Sequence, residues 1–273
     1  MTGAQLKNTF TAIGEVDAAI APSTLALYFT TNHRQLVYFV ISTTHRMVLF
    51  LGKYALHHIY SDEDWCSTLR QVFEKDELLR LKYHKTVFAA DTFYELVPDE
   101  FLYLVERTNV HVETYAPMRL SIISKRNTLL EETLLSFFPR MEYRHINYSL
   151  LQRLPACLDD TTHKLFVQVS DAYFDVLFFD EHKVVRFMNR YTYRADTDFI
   201  YFLLLCAEEL KFDRENSELV LIGEVDIQSR IYDLCYRYFR HITFIQKPES
   251  IHFSKAFDMF PKHLHFSLYN FAL

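Results

Sequence analysis

Two stretches of this 273-residue chain contain the same order of strand-like and helix-like segments. In each, three short runs of β-branched and aromatic residues are separated by polar turns, as in a meander of antiparallel strands. A helix, a buried strand and a second helix then follow. This repeat of topology, without a repeat of residues, predicts two copies of one α/β unit. The strands predicted for the two meanders are residues 25–31, 36–42 and 46–51, and residues 164–169, 173–179 and 183–191.

The order of these segments is typical of one known folding unit. Three meandering strands followed by helix-linked strands are the plan of the ribonuclease H-like unit, and two copies in one chain are the plan of actin-like ATPases. The choice of the actin-like arrangement is an analogy of fold and carries no function by itself. We therefore expect an α/β protein with mixed sheets and two ribonuclease H-like lobes, residues 1–155 and 156–273.

Glycine is scarce, with four residues where average usage predicts about nineteen. Loops that cradle phosphates are built from glycine, and none of the sequence motifs for nucleotide binding or hydrolysis that depend on glycine occurs. The four cysteines are isolated, and the first residues lack a basic segment followed by an apolar run. The richest apolar run, FIYFLLLCA, is too short to span a bilayer. We expect a cytoplasmic protein without membrane insertion.

Two stretches resemble a known bacterial family. Residues 86–102, TVFAADTFYELVPDEFL, and residues 198–224 with the following helix and strand are similar to a family of unknown function from Bacteroidetes. Its members look like degenerate actin-like ATPases. A more distant similarity joins FFPRMEYRHINYSLLQRL and KLFVQVSDAYFDVLFF to pilus-assembly actin-like proteins. Neither stretch is a catalytic motif, so the resemblance indicates fold and family rather than chemistry.

In active members of that fold, each lobe begins with a strand hairpin that carries an acidic residue and a glycine. The resemblance places these hairpins at residues 28–32, where an aromatic residue replaces the acid, and at residues 168–172, where Gln168 replaces it. A glycine pair that approaches the adenosine is reduced to Gly223 followed by Glu224. The resemblance therefore implies no ATPase activity. Any ligand is expected in the cleft between the lobes, against Thr30, Thr31, Asn32, Ser170, Asp171, Gly223 and Glu224.

Other chemistries have weaker support. A metal-dependent nuclease of the same fold needs converging carboxylates, for which Asp171, Asp198 and Glu224 are candidates. Each is equally explained as a residue of a turn or of a first helical turn. The closest histidine pairs, at 57–58 and 263–265, lack accompanying cysteine or carboxylate ligands. We expect no metal and no cofactor.

The aromatic content of 16% indicates a large core and a protein-interaction surface. The net charge of −6, without a cluster of Lys and Arg, argues against nucleic-acid binding. Tyr232, Tyr236 and Phe239 share one side of the helix predicted at 228–239, as either a docking site or a wide buried face. Residues 251–273 are expected to pack on a lobe rather than to dock elsewhere. The sequence predicts a non-catalytic interaction or scaffold protein, with a cleft binder of nucleotide or another small ligand as the alternative.

Overall fold

The structure is a computed structural model that describes residues 9–158 and 163–272. It contains two mixed α/β lobes and a small three-stranded sheet attached to the first lobe. The elements of the first lobe are β1 (Thr9–Gly14), β2 (Leu25–Thr31), β3 (Gln35–Ser42), β4 (Met47–Ala55), α1 (Asp62–Lys75), β5 (Lys85–Ala90), β6 (Tyr94–Pro98), β7 (Val110–Tyr115), β8 (Leu120–Lys125), α2 (Thr128–Phe137), β9 (Glu142–His145) and α3 (Ile146–Arg153).

The second lobe follows a short connection. Its elements, with the C-terminal segment, are β10 (Lys164–Val169), β11 (Tyr173–Phe179), β12 (Val185–Thr192), α4 (Asp196–Glu209), β13 (Glu218–Gly223), α5 (Arg230–Tyr238), β14 (His241–Phe244), β15 (His252–Phe253) and α6 (Phe266–Tyr269). Short 3₁₀ turns connect several of these elements.

The two main sheets have the same internal strand order, which confirms the predicted mixed α/β fold. The first contains the order β4-β3-β2-β5-β9, and the second is β12-β11-β10-β13-β14. In each, the first three strands are antiparallel and the last two are added in parallel. Parallel neighbours need a crossover connection, which α1 and α4 supply, so the helices cover one face of each sheet.

Alternation along the strands produces three apolar layers. On β2, Leu27 and Phe29 pack beneath α1 and α2, whereas Ala26 and Tyr28 face the second lobe. On β10, Leu165 and Val167 pack beneath α4 and α5. The inner faces of both sheets, with α3, α6 and the C-terminal segment, form one continuous core between the lobes. The ends of the central strands therefore meet at the junction of the lobes.

Local sequence signals set the helix starts. The Ser61 hydroxyl accepts a hydrogen bond from the Asp64 amide at 3.2 Å and begins α1, and Asn127 caps α2 in the same manner. Trp65, Leu69 and Phe73 then form the buried face of α1 at helical spacing. No helix among residues 9–158 and 163–272 is both long and apolar enough to cross a membrane.

The three-stranded sheet, in the order β6-β8-β7, lies outside the repeated unit. Between β6 and β7 the chain forms a 3₁₀ turn at Asp99–Leu104 rather than a helix. β6 is half-exposed and ends in Pro98, and β7 is likewise partly exposed, so neither has the apolar density of a core strand. β1, at the edge of the first sheet, is also mostly exposed.

The C-terminal segment packs back on the molecule, as expected. Phe257, Phe266, Leu268 and Tyr269 are completely buried in the core between the lobes. β15 pairs in parallel with β4 of the first lobe, although the division at residue 155 assigns it to the second. We keep that division as a proposal for the two ribonuclease H-like units, with residues from about 251 onward fastening them together.

Candidate functional site

The hairpins β2–β3 and β10–β11 end at the junction between the lobes. The Asn32 amide donates to the Gln35 carbonyl, and the Ser170 amide donates to the Tyr173 carbonyl, each at 2.9 Å. The two turns are therefore equivalent at Asn32 and Ser170, and two residues earlier Thr30 is equivalent to Gln168. This corrects the sequence alignment by two residues, because a threonine rather than an aromatic residue stands opposite Gln168. At these equivalent positions neither hairpin has an acid or a glycine.

Side chains from both lobes join across the mouth of the cleft. Arg34, in the first hairpin turn, forms an ion pair with Asp171 in the second. Glu224, which follows β13, accepts a hydrogen bond from Gln35 Nε2 at 3.0 Å and lies 3.9 Å from Lys53 Nζ. The predicted residues Asp171 and Glu224 thus lie at the cleft, where residues of the first lobe already bind them.

Two other predicted cleft residues make contacts within their own lobe. Thr31 is buried, and its hydroxyl accepts from Trp65 Nε1 at 3.2 Å and donates to the Gln35 carbonyl. Thr31 therefore faces the helical layer rather than the cleft. The Asn32 carboxamide oxygen accepts from the amides of Arg34 and Gln35, at 2.8 and 3.0 Å. The turn amides that a phosphate would need are already hydrogen-bonded.

Gly223 has a backbone role at the end of β13. Its φ of +88° lies in the left-handed region, and a Cβ built there would lie 2.3 Å from the Val169 carbonyl oxygen. That oxygen accepts the Glu224 amide at 2.8 Å. The absence of a side chain allows the close approach of β13 to β10, independently of any ligand.

A polar row crosses the inner face of the second sheet. Gln168 on β10 lies opposite Asp175 on β11, which lies opposite Arg190 on β12. The Arg190 guanidinium binds both oxygens of the completely buried Asp175, at 2.9 and 2.7 Å. Asp175 is the one charged residue of its apolar strand, YFDVLFF, so the sequence near it does not reveal its partner, Arg190.

Arg190 also reaches the first lobe. Its Nη2 lies 3.0 Å from Asp91 Oδ1, and its Nη1 donates to the Thr92 carbonyl at 3.0 Å. The Tyr173 ring lies beneath the guanidinium, 4.0 Å from its carbon, and the Tyr173 hydroxyl donates to Asp91. Burial raises the pKa of Asp91, and Arg190 opposes this rise. Because both lobes supply a carboxylate to one guanidinium, the lobes are joined by a desolvated ion-pair network.

His145 connects this network to β9 and the small sheet. Its Nε2 lies 3.0 Å from the Thr92 carbonyl, and its Nδ1 accepts the Asn147 amide at 3.3 Å. This pattern requires a neutral ring protonated at Nε2. Burial, followed by the charge of Arg190, lowers the pKa of His145 to about 4. The backbone amide of His145 donates to Glu113 Oε2 on β7 at 2.7 Å.

The three carboxylates that a metal-dependent nuclease would need, Asp171, Asp198 and Glu224, each have their own hydrogen-bonding or ion-pair partners. Asp171 pairs with Arg34, whereas Asp198 accepts the amides of Arg194 and Ala195 as the first-turn carboxylate of α4. Within residues 9–158 and 163–272, no three His, Cys, Asp or Glu side chains are grouped to hold a metal ion. His263 lies 2.7 Å from the Val225 carbonyl, whereas His265 packs against Phe39, so these two rings have different partners.

The predicted partner surface on α5 is only partly accessible. Phe239 is 2% exposed and belongs to the core of the second lobe, so it lies on the buried face rather than on the accessible one. The helix turns Phe239 inward together with Cys235, four residues earlier. Tyr236 is 69% exposed and stacks on the half-buried Tyr232, which stacks on Phe244.

The sequence matches one protein family over most of its length. The profile of a protein family of unknown function, DUF3822, matches residues 18–242. The chain belongs to this family. No curated protein matches the sequence.

Solved structures similar to this DUF3822 protein share its fold. A Bacteroides thetaiotaomicron protein of actin-like ATPase fold and unknown function is 14% identical, with a TM-score of 0.72 over 85% of this chain and 94% of that chain. The PilM–PilN type IV pilus biogenesis complex gives 8% identity and 0.60 over 90% and 98%. The ethanolamine utilization protein EutJ of Carboxydothermus hydrogenoformans gives 9% identity and 0.51 over 94% and 92%. At these identities the similarity establishes the actin-like fold.

The Arg190 network leads to a stability prediction. Replacing Arg190 with Met would leave the buried carboxylates of Asp91 and Asp175 without a cation, which costs about 3–5 kcal/mol of unfolding free energy. The matched control is Arg186→Met on the same strand, since Arg186 pairs with Asp180 at 2.7 Å but is 63% exposed. The control should lose about 1 kcal/mol or less. Urea unfolding measures both; equal losses would show that the network does not hold the fold.

His145 leads to a prediction about acid stability. Its pKa is about 4 in the folded protein and about 6.5 in an unfolded chain, so between these values the unfolded state binds more protons. Stability should therefore fall as pH decreases from 6.5 to 4, by about 3 kcal/mol from this residue. The variant His145→Gln should show a shallower pH dependence in urea unfolding at pH 7 and 4.5. An unchanged slope would contradict the assignment of a neutral, buried ring.

Proposed function

We propose that this protein is a cytoplasmic, non-catalytic interaction or scaffold protein that has kept the two-lobed actin-like fold and lost nucleotide hydrolysis. The observation that carries the proposal is the set of contacts across the cleft mouth, Arg34 with Asp171 and Glu224 with Gln35 and Lys53. These contacts occupy the ends of the hairpins and of β13, where such sheets bind ligands.

The chemistry of the hairpins supports the same conclusion. Phosphate binding needs free backbone amides and close approach, and a bound divalent cation needs a carboxylate. The first turn has its amides bonded to the Asn32 side chain, and the equivalent strand positions hold the neutral residues Thr30 and Gln168. Asp91 and Asp175 are engaged by Arg190, and Asp171 and Glu224 at the cleft mouth are engaged by Arg34 and Lys53. A polyphosphate with its cation would therefore meet carboxylates that are already paired and first-turn amides that are already hydrogen-bonded.

Exposed apolar surface supports a role in protein binding. A groove of about 840 Å³ lies on the small sheet β6-β8-β7 and includes Phe93, Phe101 and Leu104, which are 63, 44 and 68% exposed. Contiguous exposed apolar side chains commonly mark interaction sites. The similar protein PilM was solved in a complex with PilN. With Tyr236 on α5, this groove gives the fold two surfaces for recognition of protein partners.

The alternative is a binder of a nucleotide or another small ligand between the lobes, without turnover. One observation favours a small ligand. Gln168 Nε2 donates to Asn147 Oδ1 at 3.2 Å, but Gln168 Oε1 and Asn147 Nδ2 are buried without partners. Exchanging the oxygen and nitrogen of both amides still leaves one donor and one acceptor. A small uncharged molecule, rather than a polyphosphate, would complement that pair.

The proposal predicts no response to ATP. Millimolar ATP with Mg²⁺ should leave the melting temperature unchanged, and no phosphate should be released. A ligand at a hundred times its dissociation constant would add about 2.7 kcal/mol and would be visible in the same melting experiment. Turnover that disappears in Glu224→Gln would contradict the loss of hydrolysis. A thermal shift without turnover would favour the alternative.

The exposed ring of Tyr236 leads to a prediction about partners. Tyrosine is enriched among residues that dominate interface energies, so Tyr236→Ser should reduce capture of a bound partner while leaving the melting temperature unchanged. The matched control is Tyr60→Ser, since Tyr60 is 84% exposed in the first lobe. Pull-down from native cytosol, with both variants beside the unmodified protein, measures the effect. Equal capture by all three proteins would remove α5 from the interaction surface.

A further inference from the structure

A second groove lies at the opposite end of the second sheet from the cleft. It has a volume of about 620 Å³, which is within the range of small-molecule sites. Lys164 and Glu218, the first residues of β10 and β13, line it, whereas Val169 and Gly223 end the same strands at the cleft. At about 3.3 Å a residue, the two sites are separated by about 17 Å of strand.

The base of the groove is apolar. Phe166, Val220 and Phe266 form it and are almost completely buried in the core between the lobes. The accessible apolar atoms are those of Ala156 and Cys157, which follow α3, and of the half-buried Phe244 on β14. A hydrocarbon chain or ring that covers them is removed from water, which is favourable.

The rim carries one paired and two unpaired cations among the described residues. Lys164 pairs with Glu218 at 3.1 Å, and the two charges neutralise each other. Arg153, at the end of α3, has no carboxylate within ion-pair distance among the described residues, and its Nε is buried without a hydrogen-bond partner. Burial and the nearby Arg46 lower the pKa of Arg153, although a guanidinium stays charged at neutral pH.

Lys247 adds a second cation to the rim. Its Nζ donates to the carbonyls of Pro248 and Ile251, at 3.5 and 3.0 Å, and no carboxylate in the described part of the chain pairs with it. Among the described residues of the lining, Glu249 is the other acid, and it is exposed. Those described residues therefore carry three cations and two acids, in a chain whose net charge is −6. The local excess of positive charge, beside the accessible apolar atoms of the groove, complements an amphipathic anion.

We propose that this groove binds a small organic anion with an apolar body, its carboxylate on Arg153 and Lys247 and its hydrocarbon part against Ala156, Cys157 and Phe244. The guanidinium provides a planar pair of donors that matches a carboxylate. The site goes beyond the proposed interaction function, because it needs neither the cleft nor a protein partner.

Cys157 provides a direct readout at the site. All four cysteines lie in the described residues, and Cys157 is partly exposed whereas Cys66, Cys206 and Cys235 are buried. The probe is octanoate, with octanol as the uncharged analogue and inorganic phosphate as the anion without a hydrocarbon body. The measured quantity is the rate at which iodoacetamide alkylates Cys157 in the full chain, followed by mass spectrometry.

Octanoate should slow the alkylation of Cys157 in a saturable manner, whereas phosphate should not. Arg153→Met should raise the octanoate concentration needed for half protection by about tenfold, because the carboxylate loses its charge-assisted hydrogen bonds to the guanidinium. Protection by octanol should be unchanged in this variant. The control Arg80→Met removes an exposed arginine of the first lobe and should have no effect.

Two outcomes would overturn the proposal. One is an absence of protection by octanoate in the unmodified protein. The other is equal half-protection concentrations in Arg153→Met and the unmodified protein. If Arg153→Met does not fold, Ala156→Trp provides the test, because a ring at this exposed wall position fills the groove. It should abolish protection by both octanoate and octanol, and retained protection would show that the ligand binds elsewhere.

Discussion

The arrangement of the two lobes depends on the ion pairs that the Arg190 guanidinium forms with Asp175 and Asp91. It binds both oxygens of a completely buried carboxylate in its own sheet, Asp175, and lies 3.0 Å from Asp91 at the end of β5 in the other lobe. Removing Arg190 would leave two buried carboxylates without a cation, and removing a carboxylate would leave the buried guanidinium with less compensating charge. The three groups therefore hold one another in place. The Thr92 carbonyl, bound by Arg190 and by His145, fixes the first lobe against the same point.

This network explains why the junction is a joint rather than an open cleft. Buried charges hold the strand ends together inside, and Arg34, Gln35 and Lys53 contact Asp171 and Glu224 at the rim. Exposed ion pairs such as Arg34–Asp171 contribute little stability. The buried network therefore positions the two lobes, and the contacts at the rim cover the mouth of the cleft between them. The C-terminal segment adds apolar contacts, because Phe257 and Tyr269 are buried between the lobes. In this protein, buried ion pairs and the aromatic side chains of the C-terminal segment hold the two lobes of the actin-like fold together.

The parts of the fold that could be predicted from sequence are those with dense periodic signals. β2, β3, β10 and β11 are buried apolar strands, and Ser61 marks the start of α1 by capping chemistry. The small sheet could not be predicted in the same way. β6 and β7 are half-exposed, and their stability comes from pairing with β8, which a local pattern does not record.

The candidate site divides in the same manner. The repeated α/β unit, the family and the absence of glycine from both hairpins could be read from the sequence, because each is a property of residue type and order. The packed structure was needed to show that Thr30 rather than an aromatic residue is equivalent to Gln168, that Thr31 and Phe239 face inward, and that Asp91, Asp175 and Arg190 form one network. These facts depend on which strand lies beside which and on the face that each side chain takes. Asp175 and Arg190 are 15 residues apart in sequence, and Asp91 is in another lobe. Contacts over such separations are set by sheet register and lobe packing, which no local pattern of residues encodes.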